Sequence, residues 1–228
     1  MNKKIVFYSV LYSIFLFAWT PSGNSQPFVF DVKHDHGWGA CAGKLGITEE
    51  GIEYATEKEN HRRRWKYQDL KLIEISSRKE LVLHTYEDVR IRPAYERQFE
   101  FKLQEGEISA ETYRYLRSKA TRPLVTHVTY PMASYTFSLP VKHRHLVGGC
   151  EGELKASEEQ IVYETNSKDA RIWLYRDVTG IGLMDPYSLR ITTLLENFTF
   201  DLKAPMSQKQ YEFLWAKVYQ LEGVYTNR

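Results

Sequence analysis

The chain has 228 residues, of which 31 are Lys or Arg and 29 are Asp or Glu, so its formal net charge at pH 7 is +2. Residues 1–25 contain two Lys and no acidic residue, and the rest of the chain is therefore balanced at 29 basic and 29 acidic residues. The net positive charge therefore comes from residues 1–25 and does not indicate nucleic acid binding, which would need a clustered basic face, so we expect no nucleic acid partner.

The N-terminal segment has the pattern of an export signal. Lys3 and Lys4 precede an apolar run over residues 5–19, and small residues at 23–25 form a cleavage site. We expect residues 1–25 to be removed, which leaves a mature chain in the periplasm or outside the cell. An uncleaved N-terminal anchor is the alternative, although the apolar run is short for a membrane span. No later segment predicts membrane insertion.

The remaining chain is an internal duplication. Residues 32–54 (VKHDHGWGACAGKLGITEEGIEY) align without a gap on residues 141–163 (VKHRHLVGGCEGELKASEEQIVY), and the match continues in a W-x-Y-x-D segment that starts at Trp65 and again at Trp173. We predict a first repeat over residues 28–120, a proline-containing linker over 121–134, and a second repeat over 135–222.

Repeat 1 begins with segments typical of β-strands. Residues 39–47 alternate between apolar and polar side chains, Thr48-Glu49-Glu50-Gly51 forms a turn, and residues 52–57 return as the second strand of a hairpin. Further short strands are predicted at residues 63–67, 70–75, 81–86 and 99–103.

Each repeat is predicted to end in an amphipathic helix. In repeat 2, Ser207 and Gln210 form a capping box, and apolar residues follow at helical spacing up to Leu221. In repeat 1, Ser109 is the expected N-cap of the equivalent helix. The predicted fold class is therefore mainly β, with six or seven antiparallel strands and one C-terminal α-helix in each repeat.

Three short motifs recur in both repeats and carry a resemblance to a known fold. They are a G-x-L segment, an I-x-Y segment and the W-x-Y-x-D segment, with these first residues: Gly43 and Gly152, Ile52 and Ile161, Trp65 and Trp173. The chain resembles a tandem pleckstrin-homology-like (PH-like) protein of bacterial exported type. The resemblance implies two half-open barrels, each closed at one end by its helix.

The resemblance also bears on lipid binding. PH-like proteins that bind lipid headgroups use Lys and Arg in the loop of the first hairpin. We assign that loop to Thr48-Glu49-Glu50-Gly51 in repeat 1 and to Ser157-Glu158-Glu159-Gln160 in repeat 2. Because acidic loops repel phosphate, we predict no phosphoinositide binding.

An H-x-H pair followed by Cys is the sharpest candidate for a site. Two histidines at i and i+2 of a strand share a face and could hold one metal ion, with the thiolate as a third ligand. In an unbroken strand the cysteine would face the other side, so a bulge at residues 37–39 would be required in repeat 1. Alternatively, the histidines form hydrogen bonds at a domain surface and the cysteines pack in the cores. The candidate residues are His34, His36, Cys41, His143, His145 and Cys150.

The two cysteines also allow a disulfide. A bond between Cys41 and Cys150 would join the repeats at equivalent positions, provided that their Cα atoms lie within about 7 Å. The alternative is two buried thiols, one in each core.

Two other features receive structural interpretations. The basic run His61-Arg62-Arg63-Arg64 aligns with Asp169-Ala170-Arg171-Ile172, so the two repeats do not share it. We interpret it as a solvated loop, with a repeat-specific anionic partner as the alternative. Trp65 and Trp173 are expected to pack in the cores rather than to stack on a ligand.

No catalytic signature is present: the sequence lacks H-E-x-x-H, G-x-S-x-G, a Gly-rich phosphate loop and C-x-x-C. We predict a non-catalytic exported module, without a cofactor, that binds a protein, a peptide or a small ligand. One alternative is a metal-binding or metal-sensing protein that uses the two H-x-H pairs. A second is a hydrolase with a site between the repeats, lined by residues such as His84, His127 and Asp185.

Overall fold

The structure is a computed structural model that describes residues 28–36, 39–89 and 95–219. The export signal, the central residues of the expected bulge, and the end of repeat 2 with Leu221 lie outside the described residues. In the part of the chain that the structure describes, no helix is both long and apolar enough to span a membrane.

In the described residues of the first half of the chain, the structure has seven strands and one α-helix, besides two short 3-10 helices. All six strands predicted with bounds in repeat 1 are found, and several extend by one to three residues beyond the predicted bounds. The elements are β1 (Phe28–His36), β2 (Gly39–Ile47), β3 (Gly51–Ala55), β4 (Arg63–Lys66), β5 (Leu70–Ser77), β6 (Glu80–Asp88), β7 (Glu96–Leu103) and α1 (Ala110–Lys119).

The second half repeats the same order after one additional short strand, β8. The elements are β8 (Leu124–Thr126), β9 (Phe137–Arg144), β10 (Gly149–Ala156), β11 (Gln160–Glu164), β12 (Arg171–Leu174), β13 (Val178–Asp185), β14 (Ser188–Thr193), β15 (Asn197–Leu202) and α2 (Gln208–Tyr219).

The strand order is the same in the two halves: β5-β6-β7-β1-β2-β3-β4 in the first and β13-β14-β15-β9-β10-β11-β12 in the second. All neighbouring strands within each half are antiparallel. The predicted class, mainly β with a helix after the strands of each repeat, is confirmed, and the number of strands per repeat is seven.

Strand β8 connects the two halves, although it lies in the segment predicted to be a linker. It pairs in parallel with β5, where Glu74 is opposite Val125, and antiparallel with β12, where Ile172 is opposite Thr126. Edge strands present unpaired backbone groups, and β8 satisfies such groups on one edge of each half. The described strands thus form one continuous order of fifteen.

The expected bulge between the histidines and the cysteine is wrong, because the chain reverses there. β1 and β2 are two antiparallel strands in which His34 is opposite Cys41, and β9 and β10 place His143 opposite Cys150. Directly opposite residues of an antiparallel pair project from the same face of the sheet. Each histidine and its cysteine therefore share a face without a bulge.

Because β1–β2 and β9–β10 are hairpins, the hairpin predicted to be the first in each repeat is the second. The first hairpin of each repeat is β1–β2 or β9–β10, and the acidic turn Thr48-Glu49-Glu50-Gly51 closes the second hairpin, β2–β3. The sequence argument against phosphoinositide binding therefore used the wrong loop. In repeat 2 the first hairpin turn contains Leu146 and Val147, which are both exposed.

The G-x-L and I-x-Y motifs have a shared packing role. In repeat 2 the ring of Tyr163 lies over Gly152, and its hydroxyl donates to the carbonyl oxygen of Cys150 at 2.6 Å. In repeat 1 Tyr54 covers Gly43 in the same way and donates to the carbonyl oxygen of Cys41 at 2.9 Å. The glycine leaves the space that the tyrosine ring occupies.

The two halves have separate hydrophobic cores, and Leu124 of β8 lies in the first of them. Trp65 lies in the first core and Trp173 in the second, both nearly fully buried, as predicted. The first core also contains Val162 and Ile172 from the second half. Burial of these two side chains ties the halves together through apolar contact.

Both predicted helix caps are confirmed. The backbone N–H of Thr112 donates to Ser109 Oγ at 3.2 Å, and Ser207 forms the reciprocal capping box with Gln210. Replacing Ser109 by Ala should lower the free energy of unfolding by about 1 kcal/mol, because a helix N–H loses its acceptor. Urea denaturation would measure this change. Ser109→Asn should restore stability, and equal losses in both variants would contradict the capping role.

Candidate functional site

The first candidate region surrounds the H-x-H pair of repeat 2. His143 in β9 lies among Tyr163, Phe198 and Phe200, with ring centroids 5.9, 5.4 and 5.0 Å away. Its side chain is only 9% exposed. These aromatic contacts restrict the rotation of the imidazole.

Asp169 lies between the two histidines of this pair. His143 Nδ1 is 2.5 Å from Asp169 Oδ2, and His145 Nε2 is 3.3 Å from the same oxygen. The two imidazole centroids are 4.6 Å apart. We call His143, His145 and Asp169 the repeat 2 cluster. The structure thus brings the predicted pair together and adds a carboxylate.

The loop between β11 and β12 positions Asp169. The backbone N–H of Asp169 donates to Ser167 Oγ at 3.2 Å, and the N–H of Ser167 donates to Thr165 Oγ1 at 3.3 Å. The Thr165 hydroxyl donates to the carbonyl oxygen of Glu151 in β10 at 2.8 Å. This chain of short-range hydrogen bonds links the aspartate to the strand that carries Cys150.

Repeat 1 has the same aromatic surroundings but different polar partners. His34 lies against Tyr54, Phe99 and Phe101, and its Nδ1 is 2.9 Å from the carbonyl oxygen of Glu100, to which it donates. His61, which aligns with Asp169, places Nδ1 3.1 Å from Cys41 Sγ. The side chain of His36 lies outside the described residues.

The structure does not join Cys41 to Cys150 by a disulfide. Each cysteine lies opposite the histidine of its own repeat, and the two belong to separate halves of the sheet. Of the two alternatives, the thiols are what the structure contains. Cys41 is buried, as that alternative predicted, whereas Cys150 is half-buried.

The sequence interpretation missed Asp169 and His61 as polar partners. His61 was assigned to a solvated loop and Asp169 was noted only as the residue aligned with it, because the two repeats carry different residues there. The alignment nevertheless placed His61 and Asp169 at equivalent positions near the histidine pairs. His61 follows β3, which pairs with β2, and Asp169 follows β11, which pairs with β10. Both repeats carry an ionisable side chain at this position, and that shared property was the sequence feature that could have identified the two residues.

The second candidate region is a groove between the repeats. One wall is formed by β5, β6 and β7 of repeat 1, and β8 forms the floor. The other wall is formed by β12 and the turn between β14 and β15. We call this cavity of about 660 Å³ the inter-repeat groove.

Glu74 lies in the repeat 1 wall between two imidazoles. Its carboxylate oxygens are 2.8 Å from His84 Nε2 and 3.1 Å from His127 Nε2. These two histidines and the hydroxyl of Ser76 hold the pKa of Glu74 well below its usual range, against the opposing effect of burial. Asp185, the third residue suggested for a hydrolase, instead accepts from the N–H of Tyr187 in the turn after β13.

Asp177 contributes a second carboxyl group to the groove. Burial raises its pKa to about 6, although the nearby guanidinium of Arg176 and a hydrogen bond from the N–H of Leu124 in β8 act in the opposite direction. The equivalent residue of repeat 1, Asp69, is exposed. Two identical positions in the alignment therefore have different environments, because β8 covers only one of them.

Comparison with known proteins gives low similarity. No family model and no curated protein matches the chain. The C-terminal domain of an unknown protein from Leishmania infantum is 12% identical, with 38% of this chain and 84% of that chain covered and a TM-score of 0.30. The N-terminal PH domain of human ARAP2 is 10% identical, with 41% and 88% covered and a TM-score of 0.31.

A third similar structure is the heterodimer of Spt16D and Pob3N, which is 9% identical, with 75% of this chain and 84% of that chain covered and a TM-score of 0.31. At these identities and TM-scores, no functional conclusion follows from these proteins. The fold class follows instead from the strand order and the two helices.

Proposed function

We propose that the protein is a non-catalytic exported module that binds a peptide segment with apolar side chains in the inter-repeat groove. The observation that carries this proposal is the groove itself, whose volume of about 660 Å³ lies within the usual range of ligand sites. The location outside the cytoplasm is inferred from the pattern of residues 1–25 alone.

The groove depends on both repeats. Its two walls come from different halves, and β8 provides the floor by pairing with both. The two walls are also chemically different, with Glu74 and its histidines on one side and Asp177 on the other. A duplicated chain can in this way present one asymmetric site.

The apolar side chains at the groove favour a peptide ligand. Leu194 and Leu195, in the turn between β14 and β15, are 71% and 54% exposed, and Tyr86 on the opposite wall is 51% exposed. Clustered exposed apolar side chains are typical of binding surfaces. A peptide would cover these side chains, and its backbone amides could pair with the carboxyl groups of the groove.

The hydrogen bonds of the described polar groups in the groove do not form a nucleophilic triad. A nucleophilic triad places a histidine between a carboxylate and a hydroxyl or thiol. Here Glu74 occupies the middle position between His84 and His127, and among the described residues neither imidazole is hydrogen-bonded to a serine, threonine or cysteine. This geometry supports the non-catalytic proposal over the hydrolase alternative.

A peptide selection tests the proposal. A displayed library of random peptides would be selected on the purified protein, and the affinities of the enriched peptides would be measured by titration calorimetry. We expect peptides with apolar anchor residues. Leu195→Asp should weaken their binding by about 10-fold or more, because it places a charge against the buried apolar anchor.

Leu146→Asp is the matched control, since Leu146 is a fully exposed leucine in another hairpin turn, outside the groove. It should leave the affinity unchanged. Enriched peptides that bind Leu195→Asp as tightly as the original protein would place their site elsewhere. The absence of any enriched peptide would also count against the proposal.

A further inference from the structure

We propose that repeat 2 binds one divalent transition-metal ion, represented by Zn²⁺, through His143, His145 and Asp169. This site is separate from the peptide-binding function proposed for the groove. It differs from the sequence hypothesis in two ways: the third ligand is the carboxylate of Asp169 rather than the thiolate of Cys150, and the argument concerns one repeat only.

The distances suit a tetrahedral ion. One ligand atom from each of the three residues lies within 4.8 Å of the other two. With Zn–N and Zn–O bonds of about 2.0–2.1 Å, ligand atoms in a tetrahedral site are separated by about 3.3–3.4 Å. His145 Nε2 and Asp169 Oδ2 are already 3.3 Å apart.

Of the other two pairs of ligand atoms, the two imidazole nitrogens lie within 4.8 Å of each other, and the His143–Asp169 pair requires a small adjustment. His143 Nδ1 and Asp169 Oδ2 are 2.5 Å apart, which is a hydrogen-bond distance. An ion that replaces the shared proton requires these atoms to separate by about 0.8–0.9 Å to reach the tetrahedral spacing. Asp169 lies in a loop between two strands, so a shift of this size does not disturb the sheet.

One of the three ligands, His143, is held in place by its surroundings. The aromatic box of Tyr163, Phe198 and Phe200 immobilises His143, whose side chain is 9% exposed. The other carboxylate oxygen of Asp169 is 3.8 Å from Arg171 Nη2. Partners of this kind orient metal ligands and raise affinity by reducing the cost of ordering them. The positive charge of Arg171 acts in the opposite direction, because it repels a cation.

Three protein ligands leave a coordination position open. The side chain of His145 is 36% exposed, and the cluster faces a shallow pocket that Glu196 and Asn197 also line. A site of this type completes its coordination with water, an added ligand or a nearby carboxylate such as Glu196. Two imidazoles and a carboxylate are also ligands that Zn²⁺ accepts readily in proteins.

Metal titration of the purified protein, prepared without a polyhistidine tag and stripped with a chelator, tests the proposal. We expect Zn²⁺ to bind at one ion per chain, and Co²⁺ to give the intense visible absorption of a tetrahedral site. His145→Ala and Asp169→Asn should each weaken Zn²⁺ binding by more than the ~10–100-fold that loss of an outer-shell partner costs.

Both variants should remain folded, because His145 is partly exposed and the Asp169→Asn change keeps a hydrogen-bonding side chain of similar shape; thermal unfolding checks this. His127→Ala is the control, since His127 binds Glu74 in the groove and lies outside the cluster. It should keep full Zn²⁺ affinity. No binding at one ion per chain would overturn the proposal, as would equal affinity in all variants or a loss with His127→Ala as large as with His145→Ala.

Discussion

Replacing Gly152 by Val should lower the free energy of unfolding by about 3 kcal/mol or more. A Cβ at this position would lie 2.2 Å from the carbonyl oxygen of Glu164 and 2.8 Å from Cε2 of Tyr163. The carbonyl belongs to the backbone next to the β10–β11 pairing and cannot rotate away. Tyr163 is fully buried and its hydroxyl is bound to the carbonyl of Cys150, so the ring also cannot move freely.

Gly182→Val is the matched control in the same repeat. Gly182 lies in β13, opposite Arg190 in β14, and a Cβ there meets no atom within 4 Å. Because Val has a higher β-propensity than Gly, this change should be neutral or should stabilise the protein by up to about 1 kcal/mol. Urea denaturation followed by circular dichroism measures both variants. Similar losses at the two positions would show that the packing of Tyr163 over Gly152 is not the cause.

Replacing Asp177 by Asn should raise the free energy of unfolding at pH 7 by about 1–3 kcal/mol. Burial raises the pKa of Asp177 to about 6 in the folded protein, whereas the ordinary value is 3.8. At pH 7 the folded protein must therefore hold a buried carboxylate at a cost. Asn is neutral, has a similar shape, and can still accept the hydrogen bond from the N–H of Leu124.

The same pKa difference determines how the contribution of Asp177 to the free energy of unfolding depends on pH. Below about pH 4 the carboxyl group of Asp177 is protonated in both states and contributes no pH dependence. Between about pH 4 and 6 the unfolded chain has lost this proton while the folded protein keeps it, so this contribution to stability falls as pH rises. Above about pH 6 the carboxyl group is ionised in both the folded and the unfolded chain, and its destabilising contribution no longer changes with pH. The difference in stability between Asp177→Asn and the original protein should therefore grow from pH 4 to pH 6 and then level off.

Asp69→Asn is the control, because Asp69 occupies the equivalent position in repeat 1 and is exposed. Its effect on the free energy of unfolding should stay within about 0.5 kcal/mol across the same pH range. Urea denaturation at several pH values measures both variants. A constant difference between Asp177→Asn and the original protein from pH 4 to 7 would contradict the raised pKa.

The fold class could be predicted from the sequence because its signals are local. Alternating side chains over residues 39–47 gave the strand that the structure shows as Gly39–Ile47, and the hydroxyls of Ser109 and Ser207 marked the starts of both helices. The two tryptophans were assigned to the cores and are buried there. Periodicity and capping depend on residues within a few positions of one another, so one sequence is enough to find them.

The candidate site was only partly predictable. The H-x-H pattern identified His143 and His145, and the structure confirms that their rings lie together. The antiparallel pairing of β1 with β2 was not predicted, and a bulge was expected instead, because a change of parity in the apolar residues near glycines is compatible with both structures. Asp169 and Glu74 were missed as partners, since each meets its histidines across strands or loops that are distant in the chain.

The sequence by itself determined the duplication, the mainly β class with a helix after the strands of each repeat, both helix caps and the core positions of the two tryptophans, because these follow from local pattern and from comparison of the two copies. Only the tertiary structure decided that a three-residue strand within the presumed linker pairs with both halves. That pairing buries Asp177 but not Asp69, brings Glu74 to His127 and creates the groove. These effects depend on which strand edges lie next to each other in the folded protein. The same residue therefore has different surroundings in the two repeats when another strand covers the sheet edge next to only one of them.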